Sequence, residues 1–287
     1  MQLSVIHDSH YRYEIPVSLS PHLLYLRPRQ NSSQRVSDFA ITVSSGAILS
    51  NVIDPLDNDL VQAFFPADTD RIDVRTAFQV ETLNPNPFNF VLQGNAMQYP
   101  FDYDRAFATA LTPYRLPPFD DTQAQIKYWL DENFAAPPAE TVEFLSELIQ
   151  VLFQTIEYHH RDELGIQTSI ETIQGNRGTC RDFAVLFVEI CRYLGFAARF
   201  VSGYLFTPSD KADLAANSMH AWTEVYLPGA GWKGLDPTHG VWCDDCYIAV
   251  AHGAQAQSVN PVQGNYFSKK SVASQLDATV TVTQVSA

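Results

Sequence analysis

GNRGTCRDFAVLFVEICRYLGFAARFVSGYLF, residues 175–206, is the stretch on which the reading of this chain turns. Phe183, Leu186, Phe187, Ile190, Cys191 and Leu194 fall at i, i+3, i+4, i+7 spacing, which predicts a helix with one apolar face over about 180–194. Thr179 is a good N-cap, and Asp182 stands three residues on, where its carboxylate can bond back to the cap's own N–H. Gly195 sits where a helix ends. FAARFVSGYLF, 196–206, then reads as a strand packing back on that helix. Cys180 therefore occupies the first turn. N–H groups there lack helical partners and the dipole is positive, so a thiolate is favoured over a thiol. Cysteines so placed beside a cation have pKa values of about 3.5–7.5, against about 8.5 for a free thiol. Gly178 leaves the approach to the sulfur open. The competing reading of Cys180 is a buried structural thiol, the role expected of Cys191 on the apolar face of the same helix.

HAWTEVYLPGAGWKGLDPTHG, 220–240, sharpens that choice. Two strand-like runs flank a Pro-Gly-Ala-Gly turn. Antiparallel pairing across it brings His220 and Asp236 side by side at one end of a hairpin. A base and a group to orient it are thus supplied, with the nucleophile coming from the helix packed on the sheet. Pro237 ends the second strand, since it cannot donate to a ladder.

Outward from this core, residues 1–92 read as β. Tyr11, Tyr13, Ile15 and Val17 alternate with Arg12, Glu14 and Pro16, a period of two. HLLYLRP (22–28), DFAITVSS (38–45), VQAFFP after a turn at 54–59, and DRIDVRTAFQVET (70–82) continue the pattern. Short strands with Pro, Asn and Asp turns predict an antiparallel sandwich, with no helix of two turns or more. A Pro-rich passage follows, and 93–118 reads as an irregular connection. Ile126, Trp129, Leu130 and Phe134, then Leu145, Leu148, Ile149, Leu152, Phe153 and Ile156, mark two helices over 121–134 and 139–159. The expected division is a β-sandwich N-terminal domain at 1–92, a connecting segment at 93–118 and an α+β catalytic domain, helices packed on an antiparallel sheet, at 119–287.

The 287 residues carry 18 Lys and Arg against 32 Asp and Glu, a net charge of −14. Such a surface repels phosphate backbones and anionic lipid, so neither nucleic acid nor a membrane is the expected partner. No apolar run approaches the roughly 18 residues of a membrane span. The first residues alternate instead of forming a signal peptide's apolar stretch. Four cysteines in a chain of this length are not a disulfide framework, and a reducing cytoplasm is the expected setting.

GTCRDFA, ARFVSGYL, HAWTEVY and GWKGLDPT together resemble the core of the transglutaminase-like superfamily, whose order is Cys, His, Asp. YRYEIPVSLSPHLLYLRPR resembles the β N-terminal domain of bacterial transglutaminase-like proteins, and IAVAHGAQAQSVNPVQGNY resembles the segment that follows the core in that group. The resemblance implies a papain-like, transglutaminase-like fold with Cys180 as nucleophile, His220 as base and Asp236 as orienting carboxylate. It implies acyl transfer from amides through a thioester. No cofactor is expected, and no metal, since the one CxxC is unpaired and no calcium loop is visible. Water as acceptor makes a peptidase or amidase and an amine makes a transglutaminase; hydrolysis of a protein or peptide is the leading expectation. Two departures concern the rim: Gly253-Ala254-Gln255 stands where many such proteins read Gly-Arg-Asp, and Tyr247 where they carry His. The backbone N–H of Cys180 is the natural first oxyanion donor, with Trp129 and Asn176 as candidates for the second.

The remaining features carry less. Cys243-Asp-Asp-Cys246 is a single CxxC; zinc would need His239 and His252 as further ligands, and incidental thiols in a loop are the expectation. His159-His160 reads as a cap on the long helix. Asp54, Asp57 and Asp59 lack the Gly and closing Glu of a calcium loop and read as a turn. Arg199, Trp222 and Glu224 are expected to support the sheet, and Arg181 and Asp182 to serve in capping and surface pairing. The competing class is a non-catalytic protein-binding module on the same fold, which an intact Cys, His and Asp set argues against.

Overall fold

A computed structural model describes residues 1–44, 46–161, 165–208 and 219–285; Ser45, the last residue of the predicted third strand, lies outside them. The first half is β1 (Gln2–Leu19), β2 (His22–Leu24), β3 (Gln34–Val43), β4 (Ile48–Ile53), β5 (Asp59–Phe64) and β6 (Thr69–Thr82). Alternation sets their faces. Leu3, Val5, His7 and Ser9 in β1, and Ile72, Val74, Phe78 and Val80 in β6, are buried between less buried neighbours, as a pleated strand with one wet face requires.

The second half opens with a short helix α1 (Arg105–Leu111) inside the passage expected to be irregular. α2 (Asp120–Asn133), α3 (Thr141–Thr155), β7 (Glu157–Tyr158), α4 (Ser169–Gly175), β8 (Arg177–Gly178) and α5 (Cys180–Tyr193) follow. Next come β9 (Ala198–Leu205), β10 (His220–Leu227), β11 (Gly231–Asp236), β12 (Val241–Trp242) and β13 (Tyr247–Gly253), which form one antiparallel sheet in the order β12-β11-β10-β9-β13. The α5 face predicted from the sequence is the buried one: Phe183, Leu186, Phe187, Ile190 and Cys191 are at most 1% exposed. Each such apolar side chain contributes about 1.5–3 kcal/mol on burial. Thr223 Oγ1 donates to Ala184 O at 3.1 Å and pins β10 to this helix.

The chain then returns to its beginning. β14 (Val262–Gln263) pairs with β2, β15 (Tyr266–Phe267) with the end of β1, and β16 (Ser274–Gln284) with β1 from Leu3↔Gln284 to Tyr13↔Ser274. The N-terminal part is therefore two packed sheets, β15-β1-β6-β3 with β16 on β1, and β14-β2-β5-β4. Val17, Leu24, Val61, Ile72 and Val74 lie between them. The expected boundary thus differs at its far end, because part of 119–287 is built into the sandwich. The reason is the open edge of β1, whose unpaired N–H and C=O groups are satisfied by the alternating β-branched run at 279–283.

The sandwich and the core share apolar contacts, with Leu3, Val5, Phe78 and Val80 packed in one cluster with Phe187 and Tyr204. A buried histidine spans the seam. His7 contacts Tyr204 Oη at 3.0 Å through Nδ1 and Ser9 Oγ at 3.0 Å through Nε2. Burial pulls its pKa down to about 4, Asp8 opposing weakly. His252, held by Asn58 at 2.9 Å, is pulled down to about 3 by burial, Arg199 and Arg29. A neutral native histidine binds fewer protons than the unfolded one. Its stabilisation is complete above pH 6.5 and is lost as pH falls toward the folded pKa. His7 should contribute about 3 kcal/mol across that window. His220, held charged in the folded protein, adds slope of the opposite sign near and above pH 6.5, where the unfolded imidazole loses its proton, and none well below it. Denaturant midpoints measured from pH 7 to pH 4.5 should fall steeply, and less steeply in His7→Gln; equal slopes would refute the assignment. No helix among the described residues is long and apolar enough to cross a membrane.

Candidate active site

The start of α5 is held from below. β7 and β8 pair in parallel, Tyr158↔Gly178, and His159 N donates to Gly178 O at 2.8 Å. Thr179 N and Thr179 Oγ1 both donate to Asp182 Oδ2, at 2.8 and 2.9 Å, so the predicted return bond to the cap is present. Asp182 departs from the expected surface role. It is fully buried and also accepts from Gln167 N at 2.7 Å and from Arg161 Nη2 at 3.1 Å to each oxygen. The backbone passes so close that a Cβ on Gly178 would lie 2.8 Å from Asp182 Cβ. Cys180 is thereby fixed on a rigid turn and is 8% exposed.

His220 enters β10 opposite Gly203, and Asp236 closes β11. Their side chains meet as the hairpin reading requires: His220 Nε2 donates to Asp236 Oδ2 at 2.7 Å, both residues at most 1% exposed. The same carboxylate accepts from Tyr247 Oη at 2.8 Å, from His239 Nδ1 at 2.7 Å and from Thr238 N at 2.9 Å. With Nε2 taken, the other ring nitrogen, Nδ1, is buried and has no hydrogen-bond partner. The Cys180 thiol is close enough to the ring to raise its pKa as well, by side-chain contact and by charge. Contacts of this kind tighten once substrate is bound. Burial opposes the charged ring, but Asp236 outweighs it and holds His220 well above the ordinary histidine value. Burial likewise opposes the Asp236 charge, and His220 and His239 hold that carboxyl well below its usual range. The pair is an imidazolium–carboxylate ion pair.

Two strand glycines make room behind it. A Cβ on Gly203 would meet the Trp222 ring at 2.6 Å, and one on Gly234 would meet Cys243 Cβ at 2.8 Å and Trp222 Nε1 at 3.3 Å. Trp222 accordingly lies flat on the sheet and stacks on His220, centroids 6.3 Å apart at 28°. Arg199 pairs with Glu224 across β9 and β10 at 2.6 Å and lies over Trp232, the supporting role expected of it. That pair, with Arg29, takes Glu224 down to about 2 against the pull of burial.

Cys180 and His220 line one cavity of about 230 Å³ with Tyr158, His160, Arg161, Arg181, Phe200 and Val259. Trp129 and Asn176 do not line it; they border a separate hollow beside α2 and α4, so neither stands as the second oxyanion donor. His159 and His160 do not cap α3, which ends at Thr155; the backbone is already extended at Ile156, and Glu157 and Tyr158 form β7. Cys243, Cys246, His239 and His252 form no common cluster among the described residues. Metal-capable donors gather instead as His220, Asp236 and His239, and as Asp244, Asp245 and Cys246. In the first group both imidazoles donate to the carboxylate; in the second Asp245 pairs with the N-terminal amine at 3.4 Å. His239 and Tyr247 are the contributors that sequence reading missed. The signal for His239 was its place three residues after Asp236 in a turn closed by Gly240 N to Asp236 O. Tyr247 had none, since β13 reaches the site only by pairing with β9.

A cysteine at a helix start, facing a histidine and a carboxylate on adjacent antiparallel strands, defines a transglutaminase-like core behind a β-sandwich. Residues 129–237 match the transglutaminase-like superfamily, and residues 3–81 match the bacterial transglutaminase-like N-terminal region. The chain belongs to the transglutaminase-like superfamily. It is 28% identical over 274 residues to an uncharacterized protein of Mycobacterium tuberculosis, covering 91% of this chain and 86% of that protein. It is 25% identical over 287 residues to an uncharacterized protein of Mycobacterium leprae, covering 99% of each. Its fold matches a solved structure described as a candidate cysteine protease from Cytophaga hutchinsonii, with a TM-score of 0.76, 18% identity, and coverage of 100% of this chain and 91% of that one.

Proposed function

We propose that this protein is a thiol-dependent acyl-transfer enzyme acting on amide bonds of a peptide or protein, with Cys180 as nucleophile, His220 as proton carrier and Asp236 as its orienting partner. The observation that carries the reading is the buried His220–Asp236 pair at 2.7 Å, which leaves Nδ1 as the one free ring nitrogen in the cavity that Cys180 lines. Cys180 Sγ, its proton already held on Nδ1 of the His220 imidazolium, attacks the carbonyl carbon as the thiolate. The C–S bond forms, and the oxyanion faces the first-turn N–H groups of α5, which have no helical partner. Collapse breaks the C–N bond, and His220 delivers its proton to the leaving amine. Water, losing a proton to His220, then opens the thioester and frees the carboxylic acid; a second amine at that step would give a new amide instead. Hydrolysis is the simpler course, as water needs no binding site.

Iodoacetamide tests the nucleophile. At about neutral pH it should alkylate Cys180 before the other thiols and abolish activity. Burial pushes the Cys191 thiol up, and burial together with Asp236 pushes up that of Cys243. If Cys243 or Cys246 reacts first and activity survives, the nucleophile assignment falls; if no amide is turned over at all, a non-catalytic binding module takes its place.

A further inference from the structure

We infer that the acyl-transfer cleft is built for an acidic substrate, one that carries a carboxylate beside the scissile amide, and that Arg181 is the residue that selects it. The inference rests on the acyl-transfer reading and adds to it a substrate class. Among the described residues that line the cavity, His220 and Arg161 each have a counter-charge and Arg181 has none. His220 is balanced by Asp236 at 2.7 Å. Arg161, 15% exposed, is balanced by the buried Asp182 at 3.1 Å. Arg181 stands in the first turn of α5, next to Cys180, and lines the same cavity. It makes no ion pair and no hydrogen bond with the described residues, and it is only partly exposed.

No carboxylate is among the described residues that line the cavity, whose wall sets apolar Phe200, Val259 and Pro261 beside the neutral polar Ser202 and Asn260. This is the reverse of the chain as a whole, which carries 32 acidic against 18 basic residues. A guanidinium with open donors beside an apolar wall is suited to a carboxylate, which it can take in bidentate fashion. A half-enclosed site also weakens the screening that a surface pair would suffer. The positive first turn of α5 favours the same sign of charge. A basic substrate would meet Arg181 as a like charge, so the cleft discriminates by repulsion as well as by attraction.

Two thiol reagents of nearly equal size test this without a known substrate. In both reactions Sγ displaces iodide: the S–C bond forms, the C–I bond breaks and iodide leaves. Iodoacetate brings a carboxylate to the cleft and iodoacetamide a neutral amide. The rates at Cys180 are read by peptide mass on the full chain. Arg181→Gln should lower the iodoacetate-to-iodoacetamide rate ratio by about threefold to tenfold, and Arg181→Lys should restore most of it. Raising the salt should lower the parent's ratio toward that of the glutamine variant. A short glutamate-rich peptide should protect Cys180 of the parent from iodoacetamide, and a lysine-rich one should not. A ratio that ignores Arg181, or equal protection by the two peptides, overturns the inference while leaving Cys180 as nucleophile. Failure of both reagents at Cys180 overturns the nucleophile and the inference together.

Discussion

Asp236→Asn should lower amide turnover by about 10²–10⁴-fold while the protein still melts as a folded chain. The argument starts from one oxygen. Asp236 Oδ2 takes the Nε2 proton of His220 at 2.7 Å, and by doing so leaves Nδ1 as the nitrogen that faces the cleft. An amide at 236 keeps one acceptor but brings an N–H₂ group that can turn toward the ring, and the tautomer then present is the wrong one. The charge is lost as well. Burial, which lowers the imidazole, would then be opposed by Cys180 without the Asp236 charge that now outweighs it. The ring must be charged to protonate the leaving amine, so the alkaline limb of the pH–rate profile should move to lower pH. Asp236→Ala should lower the rate further, and its stability should fall because His220, His239 and Tyr247 would lose a shared acceptor. Cys180→Ala should remove turnover and alkylation altogether, and adding Asp236→Ala to it should cost almost nothing more, as groups that act as a unit are not additive. Turnover and a melting curve for each variant are the measurements. Parent turnover in Asp236→Asn at equal stability would mean that another group orients the histidine.

The core was legible because its instructions are local. Helical spacing from Phe183 to Ile190, the Thr179–Asp182 cap and the Pro-Gly-Ala-Gly turn each lie within one element or one hairpin, so α5 and the His220–Asp236 approach followed from neighbours in sequence. What escaped depends on distant parts of the chain. The run at 279–283 alternates as a strand should, but nothing in it says that its partner is β1, more than 260 residues away in sequence. Tyr247 reached Asp236 through a strand pairing of the same kind, and so it read as a change at the rim rather than a donor to the carboxylate. The α3 end was misread for a subtler reason. Ile156 keeps the apolar spacing of the helix, yet its extended backbone belongs to the chain entering β7. Period alone does not separate the last turn of a helix from the first residue of a strand.

Asp182→Ala should be the most destabilising single change near the site, costing about 3–5 kcal/mol from a total that for such proteins is only about 5–15 kcal/mol. The pattern Thr-x-x-Asp promises a helix cap and no more. Burial changes its weight. Asp182 is fully buried, and its two oxygens hold the Thr179 N–H and hydroxyl, the Gln167 N–H and both contacts from Arg161. With alanine there, a guanidinium that is 15% exposed and whose Nε already lacks a partner loses its counter-charge. Two backbone N–H groups are orphaned with it, and each buried donor left unpaired adds its own desolvation cost. Asp182→Asn keeps an acceptor but not the charge, and should fall between alanine and the parent. A second capping box in this chain isolates the effect of burial. Thr168 and Glu171 make the same reciprocal bonds at α4, on an exposed turn. Glu171→Ala should lose far less, because water takes over the freed groups. Denaturant midpoints of the three variants give the order. The iodoacetamide rate at Cys180, read where each variant is still folded, should drop in Asp182→Ala and hold in Glu171→Ala, since only Asp182 joins the turn that carries Cys180 to the chain at Arg161 and Gln167. Equal losses in the two alanine variants would mean that solvent reaches the Asp182 cluster as readily as the surface cap, and the rigid turn under Cys180 would have to be explained by the β7–β8 pairing alone.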